Sequence, residues 1–197
     1  MGRRPQPEIR ERLLDACTDH VLAHGLPDRL APLVAATGTS ARMLLYHFGT
    51  REALLLEVRR RARRRQAELY GELLRARDDE RYTATLRRAW TVIAGPDGLP
   101  YLRLFAQWRP AAAEATFPDR QSATVDWLGP LADGLATLGR PDLATLALAV
   151  FRGLLMDLDA TGDRARTTAA FDDFLQSLAA DSEHEVVHVL RAAAVTS

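Results

Sequence analysis

Glycine and proline break this chain at intervals that leave room for helices and little else. Gly25, Thr37-Gly38 and Phe48-Gly49 divide the first fifty residues. Gly95-Pro96-Asp97-Gly98, Phe117-Pro118, Gly139-Arg140-Pro141 and Thr161-Gly162-Asp163 divide the remainder. Between the breaks, apolar residues recur at helical spacing. Over residues 7–24, Ile9, Leu13, Ala16, Cys17 and Val21 share one face, and Gly25 takes the position after the helix end. No run of alternating β-branched residues and no Asn-Gly pair signals a strand or hairpin. An all-α chain is expected.

The same logic places the other elements. A short second helix opens at Asp28 or Arg29, with Leu30, Leu33 and Val34 inward and Pro32 in its first turn, where a missing N–H costs nothing. Ser40 can cap a third helix reaching His47, and Thr50 a long fourth one reaching about residue 76. Further helices are expected over 82–94, 99–113, 119–138, 141–159 and 164–180. After Asp181 comes a short tail, either a final helical turn or two or unstructured.

Composition narrows the function classes. At 197 residues, 47% hydrophobic and 26% charged, the chain is an ordinary candidate for a soluble protein with a real core. Its longest nearly uncharged apolar stretch, residues 143–151, is too short to cross a bilayer. Charges follow Met1-Gly2-Arg3-Arg4-Pro5, so no secretory signal is expected. A single cysteine, Cys17, fits a reducing cytoplasm. Zero net charge hides an asymmetry: residues 1–77 carry 15 Arg against 9 acidic residues, and residues 78–197 carry 11 against 17. Either the basic end meets a polyanion or arginines cluster on solvated helix faces; charge alone leaves both open.

The segment from Leu30 to Leu56 is the most informative. Short helix, glycine turn and short helix make a helix-turn-helix unit. The string Gly38-Thr39-Ser40-Ala41-Arg42-Met43-Leu44-Leu45-Tyr46-His47-Phe48-Gly49-Thr50-Arg51-Glu52-Ala53-Leu54 resembles the signature of the tetracycline-repressor (TetR) family of transcriptional regulators. Leu13-Leu14-Asp15-Ala16-Cys17 followed by Gly25 is similar to that family's first helix. The match covers about residues 9–56; beyond it, only helix count, length and the phrase Phe151-Arg152-Gly153-Leu154-Leu155-Met156 are similar. Leu45 stands where the family often has Tyr, and Val34 where Ala is commoner.

The resemblance implies an N-terminal three-helix helix-turn-helix domain for DNA over residues 1–50. A helical ligand-binding and dimerisation domain would cover 51–182, with a tail over 183–197. The recognition helix would present Ala41, Arg42 and Met43 to base edges of double-stranded operator DNA. Arg42 suits guanine O6/N7 and Met43 a thymine methyl. Ser40, Tyr46, His47, Thr50 and Arg51 would hold phosphates, while Phe48 belongs to the core. Arg3 and Arg4 could form an arm to the adjacent backbone or minor groove. Arg59-Arg60-Arg61 and Arg63-Arg64-Arg65 cannot all face one way and are read as a solvated face with partners such as Glu57 and Glu68.

For the second domain, the resemblance implies a pocket for an unidentified small molecule. Its candidate lining is Trp90, Phe105, Trp108, Trp127 and Met156, with Arg103, Gln107 and Arg109 as polar anchors. A homodimer would form through the last two long helices, with Leu148, Phe151, Leu155, Phe171 and Phe174 in the interface. The expected protein is therefore a cytoplasmic regulator, a repressor released by its ligand, with no catalytic residues, cofactor or membrane partner.

One motif competes. His184-Glu185-Val186-Val187-His188 is an H-E-x-x-H string, which on a helix can chelate zinc and supply a general base. The longer zinc-protease pattern fails, because Arg191 and Ala194 stand where Gly and His would be needed. A helical metal-binding protein or hydrolase using His184 and His188 is the alternative, and a plain terminal helix the simplest reading. Among other enzyme strings, no G-x-S-x-G elbow, P-loop or G-x-G-x-x-G is present.

Overall fold

The computed structural model describes the backbone of residues 7–107 and 117–195, and their side chains except at 106, 107, 117–123 and 181–195. All regular structure among these residues is helical. In chain order the elements are α1 (Pro7–His24), α2 (Ala31–Thr37), α3 (Ala41–Phe48), α4 (Arg51–Leu74), α5 (Tyr82–Ile93), α6 (Leu99–Gln107), α7 (Phe117–Ala136), a 3-10 turn (Pro141–Leu143), α8 (Ala144–Thr161) and α9 (Arg164–Val195). The chain divides into two compact units, residues 1–66 with 100–111 and residues 67–99 with 112–197.

Local chemistry accounts for most boundaries. α1 spans the expected residues and ends before Gly25. α2 starts later than expected, at Ala31, because Pro32 fits only the first turn and Leu30 offers no side-chain cap. Asp28 and Arg29 lie in the bend before it. α9 continues as backbone helix to Val195, past the expected end near residue 180: no glycine or proline follows Gly162 to stop it.

In the first unit, Leu14, Cys17 and Val21 of α1 close on Leu33 of α2, Leu44 and Phe48 of α3, and Leu54 and Val58 of α4. Each such side chain removed from water contributes about 1.5–3 kcal/mol. From α6, Leu104 joins this core, with Tyr101 and Phe105 packed against it. Phe105 thus packs in the first unit, half-buried.

Two arginines of the run, Arg61 and Arg65, are not part of a solvated face. Glu11, Asp15 and Asp19 follow one another at i, i+4 and i+8 along α1 and meet α4. Arg61 pairs with Glu11 and with Asp15 (3.1 Å); Arg65 pairs with Asp15 (2.7 Å) and Asp19 (2.5 Å). Burial disfavours the charge of Arg65, but the hydrogen bonds and charges of Asp19 and Asp15 outweigh this and raise its pKa. Arg60 does reach Glu57, at 3.2 Å.

An aromatic stack centres the second unit. Trp90 of α5 lies parallel to Phe171 of α9 at 4.8 Å, and Phe171 meets Phe151 of α8 edge-on at 4.7 Å. Trp127 of α7 joins Phe151 at 6.0 Å and Tyr70 at 4.7 Å. Trp90 Nε1 donates to Thr168 Oγ1 at 3.1 Å. Two expectations are corrected here. Leu148, Phe151, Leu155 and Phe171 are buried within the chain's own core rather than facing a partner, and Phe174 is half-buried beside Phe171. Trp90 and Trp127 belong to that same core, whereas Met156 is 67% exposed on α8.

Candidate nucleic-acid interface

Two hydroxyl caps and a glycine build the helix-turn-helix. α2 ends at Gly38, whose φ of 62° lies in the left-handed region that side-chain-bearing residues avoid. Ser40 follows in extended conformation, and its Oγ accepts from Met43 N–H at 3.2 Å, starting α3. Thr50 does the same for α4, accepting from Ala53 N–H at 3.0 Å. In both caps the hydroxyl proton stays available to a further acceptor, such as a phosphate oxygen. Neither hydroxyl is buried: Ser40 and Thr50 are exposed.

α3 divides into a buried and a presented face. Leu44 and Phe48 anchor it in the first core. The Arg10 guanidinium lies 4.9 Å from the Phe48 ring centre, adding a cation–π contact from α1. Ala41, Arg42, Met43, Leu45 and Tyr46 are exposed, Tyr46 at 51% and Met43 at 41%. Arg42 has no hydrogen bond or ion pair with any described residue, so its planar fork is available. Leu45 presents a bare apolar side chain beside Tyr46.

His47 is half-buried, edge-on to Tyr46 at 5.2 Å. Both of its ring nitrogens are shielded and lack a hydrogen-bond partner.

Arg51 makes contacts within the chain. Its Nη2 donates to the Pro27 carbonyl at 2.5 Å, and Nη1 lies 3.6 Å from Glu52. The guanidinium thus ties the start of α4 to the loop between α1 and α2. Sequence reasoning missed this contact, and also Arg10 over Phe48; both join residues far apart in the chain. The acidic ladder did leave a signal, in the matching four-residue spacings of Glu11, Asp15 and Asp19 and of Arg61 and Arg65.

Several expected residues fall outside the description. Arg3, Arg4, Trp108 and Arg109 lie outside the described residues, as does the side chain of Gln107. His184, Glu185 and His188 sit on the helical backbone of α9, with their side chains outside the described set.

No family model matches the chain, and no curated protein matches its sequence. Solved structures do match its fold. A transcriptional regulator of the TetR family from Cytophaga hutchinsonii superposes with a TM-score of 0.68 at 16% identity, over 91% of this chain and 98% of that one. A TetR-like transcriptional regulator from Rhodococcus sp. RHA1 gives 0.55 at 22% identity, over 90% and 96%. A TetR transcriptional regulator from Streptomyces coelicolor gives 0.54 at 21% identity, over 86% and 97%.

Proposed function

We propose that this chain, whose fold is that of the TetR-type regulators, is a DNA-binding transcriptional regulator, a repressor that leaves its operator when a small molecule binds. The observation that carries the reading is the presented face of α3. Arg42 is exposed and uncommitted, Met43 and Tyr46 stand beside it, and two capping hydroxyls flank it. A helix held this way fits a major groove, with Ala41, Arg42 and Met43 toward base edges. Ser40, Tyr46 and Thr50 reach phosphates, His47 packs beside Tyr46 to support them, and Arg51 holds the α1–α2 loop. The first compact unit is the DNA reader in this proposal; the second senses a ligand and dimerises.

The dimer surface follows from what α8 leaves uncovered. Its core side is filled by Ala147, Leu148, Phe151, Leu155 and Leu158. On its outer side Leu146 is 50% and Met156 67% exposed, with Ala149 and Gly153 between them. Small and apolar residues at this spacing let a symmetry mate approach closely. Ligand binding would then shift the equilibrium between two spacings of paired recognition helices, by no more than its differential affinity for them.

Fluorescence anisotropy tests the proposal. The purified chain is titrated onto a labelled fragment of its own upstream DNA and onto random DNA of equal length, across a salt series. Preference for the native fragment, saturating at two chains or a multiple per site, is expected. Equal, weak binding to fragments tiled across the whole neighbourhood of its gene would overturn it.

A further inference from the structure

The presented face of α3 carries more bare apolar surface than a solvated helix needs. Of the seven large apolar side chains exposed among the described residues, three stand on this one helix: Met43, Leu45 (37%) and Tyr46. Such a concentration marks a contact surface rather than scattered exposure. Phosphate binding accounts for the Tyr46 hydroxyl. It does not account for Leu45 or Met43, whose side chains donate no hydrogen bond.

Base reading by hydrogen bonds is narrow on this helix. From Ala41 to Phe48 it holds no Asn, Gln, Asp or Glu, the side chains that pair with adenine or cytosine edges. Ser40 commits its oxygen to the Met43 N–H. Arg42 carries the one guanidinium fork of α3, and that fork suits guanine. Apolar contact is what remains for the other bases. The major groove offers one apolar feature for it, the methyl group on pyrimidine C5.

We propose that Leu45, together with Met43, is a specificity-determining residue that reads pyrimidine C5-methyl groups in the operator's major groove. The assignment rests on the DNA-binding reading and names what that site selects. Helix geometry sets the pattern. At about 100° per residue, Arg42 and Tyr46 form the middle of the presented face, opposite buried Leu44 and Phe48. Leu45 flanks them on one side and Met43 on the other. Ala41, one turn before Leu45, is small and leaves that side chain clear. Apolar contacts thus fall on both sides of the base that Arg42 reads, so the favoured half-site sets a guanine among C5-methylated pyrimidines. Charge supports DNA rather than a protein as the occupant: residues 1–77 carry 15 Arg against 9 acidic residues, and α3 bears no acid.

Thymine and 5-methylcytosine present the same methyl, and anisotropy separates them. The native upstream fragment is compared with a version carrying uracil for every thymine, a version with every cytosine 5-methylated, and random DNA. Uracil keeps the pairing edges and the phosphates and lacks only the methyl. One methyl buried against an alkyl side chain is worth about fourfold in affinity, or about fifteenfold over the two half-sites of a dimer. The uracil fragment should lose at least that factor where thymine is the source; the methylated fragment should gain it where 5-methylcytosine is. The Met43→Ala/Leu45→Ala double variant should shrink this discrimination, while Arg42 keeps the native fragment above random DNA. Both positions are exposed, and circular dichroism checks that the variant stays folded. A native fragment preferred over random DNA yet indifferent to both base changes overturns the methyl reading and leaves the regulator standing. Undiminished discrimination in the double variant also overturns it, by assigning the effect to DNA shape. Equal binding to native and random DNA removes the regulator and the methyl reading with it.

Discussion

The Tyr82 ring lies against the backbone of Gly134 so closely that a Cβ there would sit 1.9 Å from its Cζ and 2.0 Å from its Cε2. Glycine is required at 134 by space, not by backbone angle. The close approach lets the phenol reach inward: Tyr82 Oη faces the Leu74 carbonyl at 2.9 Å and the Pro130 carbonyl at 3.2 Å and donates its proton to them. Burial, aided by the Asp133 charge, raises the phenol pKa, so the hydroxyl remains a donor throughout the physiological range.

Gly134→Ala should therefore destabilise the fold by about 1–3 kcal/mol or more, as overpacking does. Tyr82→Phe should cost about 1–3 kcal/mol by leaving buried carbonyls without their donor. Because the clash involves ring carbons, Tyr82→Phe should not rescue Gly134→Ala, whereas Tyr82→Ala should cost less in the Gly134→Ala background than alone. Urea denaturation of the three single and two double variants measures each difference.

Arg42→Ala should lose about 1–3 kcal/mol on the operator and relax preference at one base pair, with little change on random DNA. Arg51→Ala should behave differently. Loss of the bond to the Pro27 carbonyl should lower the melting temperature, and DNA affinity with it, on all sequences alike. Anisotropy paired with thermal melts separates the two; equal losses on both DNAs for Arg42→Ala would contradict its reading of a base.

Leu146→Arg and Met156→Arg should give a folded monomer, because they place charge on the uncovered side of α8 and leave the core untouched. Phe171→Ala should instead cost about 3–5 kcal/mol of stability through the cavity it opens. Light scattering and thermal melts distinguish the outcomes. A dimer that survives both arginine substitutions would move the interface elsewhere.

Acid should weaken the fold through Asp157. Arg166 Nη1 and Nη2 grip this carboxylate in a fork, each at 2.7 Å, and with Thr161 they lower its pKa. Glu80, bonded to Arg88 and Thr85, is lowered likewise. A carboxyl held below its unfolded value binds protons less readily in the folded chain. Its stabilisation is complete above the unfolded range, near pH 4, and is lost as pH falls through that value toward the lowered one. Asp157→Asn should flatten this acid limb in melts taken across pH 2–6.

What the sequence determined by itself is local. Gly25, Gly38 and Pro32 set helix ends through backbone geometry, and Ser40 and Thr50 cap the helices they precede. These effects act within about four residues, so the helix-turn-helix and its presented residues were legible from one segment. The long-range pairings were not. Periodicity reveals that α8 has apolar faces but not what covers each: Leu148 and Phe151 are buried within the chain, Phe151 against Trp90 and Phe171, while Leu146 and Met156 stay exposed. Within the arginine run, Arg61 and Arg65 find their partners 46 or 50 residues away on α1. The Arg51 bond to Pro27, 24 residues earlier, forms only when the chain folds. Tertiary structure decided these assignments because a side chain's burial and charge partners depend on packing between helices, which no local propensity encodes.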